Sequence, residues 1–75
     1  MYGLNDLIMF LNRLEEEKFY YRLTKIRDSI MVIVSVPGQK WEIEFMPDGS
    51  IEIEKYCSNG EIFDEREIDV LFKEF

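Results

Sequence analysis

The stretch WEIEFMPDGSIEIEK, residues 41–55, constrains the fold most, because apolar and acidic side chains alternate on both sides of a turn signal. Alternation with a period of two is typical of strands with one buried face. Pro47-Asp48-Gly49 suits a three-residue hairpin loop that ends in a left-handed glycine. A one-residue slip would turn the acidic side chains inward, so the register is firmly specified. This register opposes like charges in two pairs: Glu42 with Glu54, and Glu44 with Glu52. Lys40 and Lys55 are expected to lie near these glutamates and to offset part of the repulsion.

Three more segments have the pattern of strands. Residues 19–24 alternate, residues 30–36 are rich in β-branched side chains, and a short strand is expected around Ile62-Phe63. The turns between strands are expected at Asp28-Ser29, Pro37-Gly38 and Asn59-Gly60. Because every turn is short, consecutive strands should be antiparallel neighbours.

The turn positions also predict the pairing of the earlier strands. A turn at Asp28-Ser29 sets Leu23 beside Val34 and Tyr21 beside Val36. A turn centred on Pro37-Gly38 sets Val34 beside Trp41. All of these pairings agree on which side chains share a face, and that face is the predicted core of the sheet. Its members are Tyr21, Leu23, Val32, Val34, Trp41, Ile43, Phe45, Ile51, Ile53 and Cys57.

A helix is predicted at each end of the sequence. The first has an apolar stripe at helical spacing, formed by Leu4, Leu7, Ile8, Leu11 and Leu14 and widened by Phe10. Asn5 or Asp6 is expected to cap its start, and the run Glu15–Glu17 marks its end because the helix dipole disfavours negative charge there. The second helix has a stripe of Ile68, Leu71, Phe72 and Phe75. Asp64 followed by Glu67 predicts a capping box at its start.

Together these elements predict an α+β fold, a two-layer sandwich in which one helix from each end covers one face of a four- to five-stranded antiparallel meander, within a single domain spanning residues 1–75. Neither helix has a second apolar stripe with which to cover the opposite face of the sheet. That uncovered face is expected to carry Tyr20, Arg22, Thr24, Met31, Ile33, Ser35, Lys40, Glu42, Glu44, Met46, Glu52, Glu54 and Tyr56, with Phe63 as a further candidate.

Composition restricts the partners of this uncovered face. The chain has 75 residues, a formal net charge of −7, one cysteine and no histidine. An acidic balance argues against nucleic acid and anionic membranes and favours a basic partner. A lone cysteine suits a reducing cytoplasm. The amino terminus lacks the pattern of a signal peptide, and no apolar run is long enough to span a bilayer. We therefore expect a soluble, cytoplasmic protein.

The four paired glutamates are the candidate functional residues of this sequence. Paired carboxylates suit acid–base catalysis or a hard metal ion, but on an open sheet nothing would desolvate them and shift a pKa. A solvated acidic surface and a protein-binding face are the other interpretations. Met31 and Ile33 favour an interface, although a loop or a second copy of the chain could cover them. Cys57 and Trp41 are interpreted as core residues, and no catalytic residue, metal site or cofactor is expected.

Much of the sequence resembles a family of short, uncharacterised bacterial proteins. The matching segments are YRL (21–23), RDSIMVIVSVPG (27–38), WEIEF (41–45), DGSIEIE (48–54) and SNGEI (58–62). The resemblance implies a bacterial origin and assigns no activity. It places the WE-x-E motif on Trp41, Glu42 and Glu44, and the later acidic pair on Glu52 and Glu54. In size and charge the chain is also similar to the small acidic immunity proteins and antitoxins that neutralise basic toxins.

These observations predict a non-enzymatic protein-binding module that uses the uncovered sheet face to bind a basic protein. The most specific form of this prediction is an inhibitor of a toxin, similar to an immunity protein. A homodimer joined through the same face or an edge strand is the alternative, and a weak binder of divalent metal is a further one. The expected partner-binding residues are Tyr20, Arg22, Met31, Ile33, Glu42, Glu44, Glu52, Glu54 and Tyr56.

Overall fold

A computed structural model of the chain describes residues 3–56 and 62–74. Its elements are α1 (Leu4–Glu16), β1 (Tyr20–Ile26), β2 (Ser29–Val36), β3 (Gln39–Phe45), β4 (Ile51–Lys55), β5 (Ile62–Phe63) and α2 (Glu67–Glu74). The five strands form one antiparallel sheet in the order β1-β2-β3-β4-β5. The predicted α+β meander with terminal helices is confirmed. The predictions for Cys57, the Asn59-Gly60 turn and Phe75 lie outside the described residues.

The central hairpin has the predicted register. Glu42 pairs with Glu54, Glu44 pairs with Glu52, and the amide of Met46 donates to the carbonyl of Ser50 at 2.9 Å. Gly49 has a φ of 89°, in the left-handed region that glycine adopts without steric cost. The Asp48 side chain accepts from the Ser50 amide at 2.9 Å and from the Ser50 hydroxyl at 2.6 Å, which holds the pKa of Asp48 below its usual value. These contacts fix the loop.

The predicted pairing of β1 with β2 is wrong by two residues. Tyr21 pairs with Val34 and Leu23 with Val32, because the loop consists of Arg27 and Asp28 and places Ser29 inside β2. Arg27 adopts a φ of 53°, a left-handed conformation that is uncommon for residues other than glycine. A shift of two residues keeps every side chain on its predicted face. Val34 opposite Trp41, between β2 and β3, is confirmed.

The core lies between the helices and one face of the sheet, here called the helix-side face. Its buried residues come from α1, β2, β3, β4 and α2: Leu7, Phe10, Leu11, Leu14, Val32, Val34, Val36, Trp41, Ile43, Ile51, Ile53 and Leu71. Phe72 joins the two helices, with its ring edge-on to Phe10 at 5.9 Å and to Phe19 at 5.5 Å. The Arg13 guanidinium lies 3.9 Å from the centre of the same ring.

Three predicted core positions are exposed instead. On α1, Leu4 is 72% exposed and Ile8 is 45% exposed, so the buried stripe is turned towards Phe10 and α2. Leu23 is on the helix-side face but remains 51% exposed, because β1 is the outermost strand and the core forms over β2, β3 and β4.

Both helix starts also differ from the predictions. Gly3 is the N-cap of α1, and Asp6 accepts a hydrogen bond from the Gly3 amide at 2.8 Å rather than capping the helix itself. The helix ends at Glu16, as the glutamate run predicted. Helix α2 begins at Glu67, so this glutamate occupies the first helical position and not the third position of a capping box. Asp64 still caps the turn that leads into α2, because its carboxylate accepts from the Arg66 backbone amide at 3.0 Å. It also accepts from the Arg66 guanidinium at 2.6 Å, which lowers the pKa of Asp64 and raises that of Arg66.

Candidate protein-binding face

The face of the sheet opposite the helices, here called the outer face, contains all nine residues predicted to bind a partner. Strand pairing places them on the same side of four adjacent strands and the end of β4: Tyr20, Arg22, Met31, Ile33, Glu42, Glu44, Glu52, Glu54 and Tyr56. The described residues of α1 and α2 pack on the other side, so neither helix covers this face.

Four carboxylates stand close together on β3 and β4 and are called the glutamate ladder: Glu42, Glu44, Glu52 and Glu54. Directly opposed side chains on an antiparallel pair lie about 4.5–5.5 Å apart at their Cβ atoms. Like charges at that spacing destabilise the sheet by about 0.2–1 kcal/mol per pair. Three of the four are half-buried and Glu52 is exposed. The ladder surrounds a shallow depression that Met31 also lines.

Neighbouring groups hold the ladder carboxylates in place. The Tyr56 hydroxyl donates to Glu42 at 3.0 Å and lies 3.4 Å from Glu54. Lys40 Nζ is 3.8 Å from Glu42 Oε2, as the sequence predicted, and it also lies 4.9 Å from the centre of the Tyr56 ring. These contacts offset part of the repulsion between Glu42 and Glu54.

Ser29 is a ladder contact that the sequence did not reveal. Its hydroxyl lies 2.5 Å from Glu44 Oε2 and 2.9 Å from the Ile26 carbonyl, and its single proton can be donated to only one of these acceptors. The side chain is buried at 4% exposure. Sequence reasoning assigned Ser29 to a turn. No sequence signal placed the loop at Arg27-Asp28, which makes Ser29 the first outer-face position of β2.

Two residues expected near the ladder lie on the helix-side face instead. Phe63 pairs with Ile53 and packs against the core. Lys55 pairs with Trp41, its ammonium lies 4.7 Å from the centre of the indole, and it forms an ion pair with Glu67 at 2.5 Å. Both errors arise because the side chain of every second residue of a strand turns away from its neighbours' face. Lys55 therefore pairs with Glu67 of α2 from the helix-side face.

Met31 and Ile33 form the apolar centre of the outer face. Met31 lies directly between Thr24 and Glu44 on the neighbouring strands, and Ile33 lies between Arg22 and Glu42. Both are half-buried although no helix packs over them. Towards β1 the face becomes basic and aromatic, with Arg22 and the 82% exposed Tyr20. The outer face thus combines an acidic side, an apolar centre and a basic edge.

Among residues 3–56 and 62–74, no three His, Cys, Asp or Glu side chains converge on a point where they could hold a metal ion. An open groove between α1 and α2 is lined by Met9, Phe10, Arg13 and Phe72, together with Asp69 of α2 and polar side chains of the turn before it. Neither helix, over its described length, is long and apolar enough to cross a membrane.

The phenol of Tyr56 offers a pH-dependent test of the ladder. Its hydrogen bond to Glu42, with the charges of Glu42 and Glu54, raises the pKa of Tyr56 above the usual value of about 10. A raised pKa in the folded state means that this contribution to stability is complete below pH ~10 and is lost as pH rises through the folded value. We expect the Tyr56 phenolate absorbance, taken as the difference between the native chain and Tyr56→Phe, to appear at higher pH than that of free tyrosine.

Two variants control this titration. Glu42→Gln removes the acceptor charge and should return the Tyr56 midpoint towards that of free tyrosine. Tyr20→Phe removes an exposed phenol on β1 and should leave the Tyr56 midpoint unchanged. A Tyr56 midpoint equal to that of free tyrosine in the native chain would contradict the contact with the ladder.

Comparison with known protein families, with curated proteins and with solved structures found no match for this chain. The fold and the outer face are therefore interpreted from their own chemistry.

Proposed function

We propose that this chain is a non-enzymatic binding module that holds a basic protein against its outer face. The observation that supports this proposal is the position of two directly opposed glutamate pairs beside an apolar centre, on the sheet face that the described helices leave uncovered. Interfaces of stable complexes combine an apolar centre with a polar rim in this way. A cationic partner would relieve the repulsion within the ladder, so binding and the removal of like-charge strain act together.

Within this proposal the outer-face residues have different roles. The glutamate ladder steers the partner and pairs with its Lys or Arg side chains, while Met31, Ile33 and Tyr56 supply apolar contact. An inhibitor of a basic toxin, similar to immunity proteins and antitoxins, is the most specific form of the proposal.

We place the protein in a reducing cytoplasm on the ground of its cysteine usage. Nucleic acid and anionic membranes are disfavoured as partners by the net charge of −7.

A purified lysine-rich peptide, hexalysine, is a suitable first probe of the outer face. Amide chemical shifts of the labelled chain are recorded during titration with hexalysine at low and at high salt. We expect the largest shifts on β3 and β4 around the ladder, and we expect them to diminish as salt screens the charges. The ladder variant, with Glu42, Glu44, Glu52 and Glu54 all changed to Gln, should bind about tenfold more weakly or worse.

A second quadruple variant provides the matched control. Changing Glu16, Glu17, Glu65 and Glu74 to Gln removes the same number of charges from α1, α2 and their ends, away from the glutamate ladder on β3 and β4. This control variant should bind hexalysine almost as tightly as the native chain. Equal weakening in both variants would show that net charge alone attracts the peptide, and the proposed role of the outer face would then be abandoned.

A further inference from the structure

Strand β1 forms one edge of the sheet, and its backbone has polar groups directed away from β2. Two hydrogen bonds establish the alternation: the Met46 amide donates to the Ser50 carbonyl, and the Tyr56 amide donates to the Lys40 carbonyl. Even-numbered residues of β3 therefore bond to β4, and its odd-numbered residues bond to β2. In the observed registers the same alternation continues through β2, so the even-numbered residues of β1 bond to β2.

Three residues of β1 consequently direct their backbone N–H and C=O groups to the edge: Tyr21, Leu23 and Lys25. Within residues 3–56 and 62–74, β2 is the only strand that pairs with β1. A row of such groups on a seven-residue strand is a template for pairing with another strand. Natural edge strands are protected by shortening, by proline or by charged side chains. Strand β1 is seven residues long and contains no proline, so that of these protections it has only the charged side chains of Arg22 and Lys25.

Exposed apolar side chains flank this edge on both faces of the sheet. On the helix-side face, Leu23 is 51% exposed, and Leu4 and Ile8 of α1 are 72% and 45% exposed. The Tyr21 hydroxyl donates to Glu15 of α1 at 2.5 Å, which turns the Glu15 side of α1 towards β1. Helical periodicity places Leu4 and Ile8 on the same side of α1 as Glu15. On the outer face, Tyr20 and Ile26 are exposed at the two ends of β1.

We propose that a second copy of this chain pairs with β1, antiparallel and centred on Leu23, to form a continuous ten-stranded sheet. In this register Leu23 bonds to the partner's Leu23, and Tyr21 bonds to the partner's Lys25. The residues with outward backbone groups therefore meet one another, as an antiparallel ladder requires. Centring on Leu23 also uses all seven residues of the strand.

The side chains suit this self-pairing. The two Leu23 side chains meet on the helix-side face, flanked by Leu4 and Ile8 of each copy, while Tyr20 lies opposite the partner's Ile26 on the outer face. Arg22 lies opposite the partner's Thr24, which avoids a direct pairing of Arg22 with itself. Such cross-strand apolar pairs stabilise a sheet, whereas like charges directly opposed destabilise it.

Charge complementarity favours a second copy at this edge. Within one chain the Lys25 ammonium donates to the Arg27 carbonyl, which uses one of its three protons. In the dimer Lys25 would come opposite the partner's Tyr21, whose hydroxyl is bonded to Glu15, so that a positive and a negative side chain meet twice across the two-fold axis. The acidic β3 strands of the two copies would be separated by five strand spacings, about 24 Å. This separation exceeds the Debye length of about 8 Å at physiological ionic strength, so the two ladders would repel each other little.

Sedimentation across a wide concentration range tests the dimer. We expect a species of twice 9.1 kDa that dissociates on dilution. Leu23→Lys should remain folded, because the side chain is half exposed, and it should sediment as a monomer at concentrations where the native chain is a dimer. Met9→Lys is the matched control, since Met9 is 69% exposed on the side of α1 that lines the groove with α2. It should dimerise like the native chain.

Amide hydrogen exchange in the native chain identifies the interface without mutation. In a monomer the amides of Tyr21, Leu23 and Lys25 should exchange rapidly, while Arg22 and Thr24 are protected by β2. Rising concentration should protect the first three selectively. A native chain that is monomeric at every concentration would overturn the proposal. So would a dimer in which these three amides stay unprotected, or one that Leu23→Lys leaves intact, and protection that requires an added acidic peptide would assign the edge to a different partner.

Discussion

Replacing Trp41 with alanine is expected to lower the free energy of unfolding by about 3–5 kcal/mol, the usual cost of truncating a buried aromatic side chain. Trp41 is 1% exposed, lies at the centre of the helix-side face of β3, and donates from its indole N–H to Gln39 at 2.7 Å. A chain of this size has a stability near the low end of about 5–15 kcal/mol. The substitution should therefore leave a large fraction of the protein unfolded.

Denaturant unfolding followed by circular dichroism measures this effect. Trp41→Phe is the matched control, because it keeps an aromatic ring in the core and loses only part of the buried surface. It should cost clearly less than alanine. If Trp41→Ala had the same midpoint of unfolding as the native chain, Trp41 would not be packed in the core as described.

Leu71→Ala is expected to have the second largest effect, about 2–5 kcal/mol. Leu71 is the residue of α2 that is fully buried, at 0% exposure, while Ile68, Val70 and Phe72 are half-buried. An eight-residue helix is too short to be stable alone and depends on its packing against the sheet. Losing the Leu71 contacts should therefore release α2 in addition to lowering global stability.

Hydrogen exchange of α2 separates these two consequences. We expect the α2 amides to lose protection in Leu71→Ala more than the amides of β2 and β3 do. Lys73→Ala, on the exposed side of the same helix, is the control and should leave both the midpoint and the exchange pattern close to native. Uniform loss of protection across α2 and the sheet would show that α2 does not open separately.

The β3–β4 hairpin could be predicted from sequence because two independent signals agree. The loop Pro47-Asp48-Gly49 sets the register, and the alternation of Ile43, Phe45, Ile51 and Ile53 requires the same register. The β1–β2 pairing lacked this agreement. Arg27 adopts a left-handed conformation that its residue type does not favour, so the sequence carried no sign that the loop begins there.

The extent of helix coverage could not be predicted, because it depends on tertiary packing. Periodicity places Leu4 and Ile8 on the apolar stripe of α1, and alternation places Leu23 on the helix-side face. Neither pattern reveals how many strands the two helices cover. The helices pack on each other through Phe10 and Phe72, which leaves the β1 side of the sheet exposed. These exposed residues define the edge at which we propose dimerisation.

For the outer face, the sequence predicted the ladder itself but not all of its surroundings. Opposed glutamates follow directly from the hairpin register, and Lys40 lies near Glu42 as expected. The contacts from Ser29 and Tyr56 depend on side-chain conformations and on the residues at which β2 begins and β4 ends. Sequence patterns place the boundaries of strands less accurately than the strands themselves.

Capture of partners from the cell that produces this protein tests the proposed binding function most directly. Native chain, ladder variant and the control variant of equal charge are immobilised side by side, and retained proteins are identified by mass spectrometry and then purified for binding measurements. We expect a basic protein that the native chain and the control variant retain, that the ladder variant loses, and whose association slows with rising salt. A partner retained equally by all three chains would contradict the proposed role of the outer face.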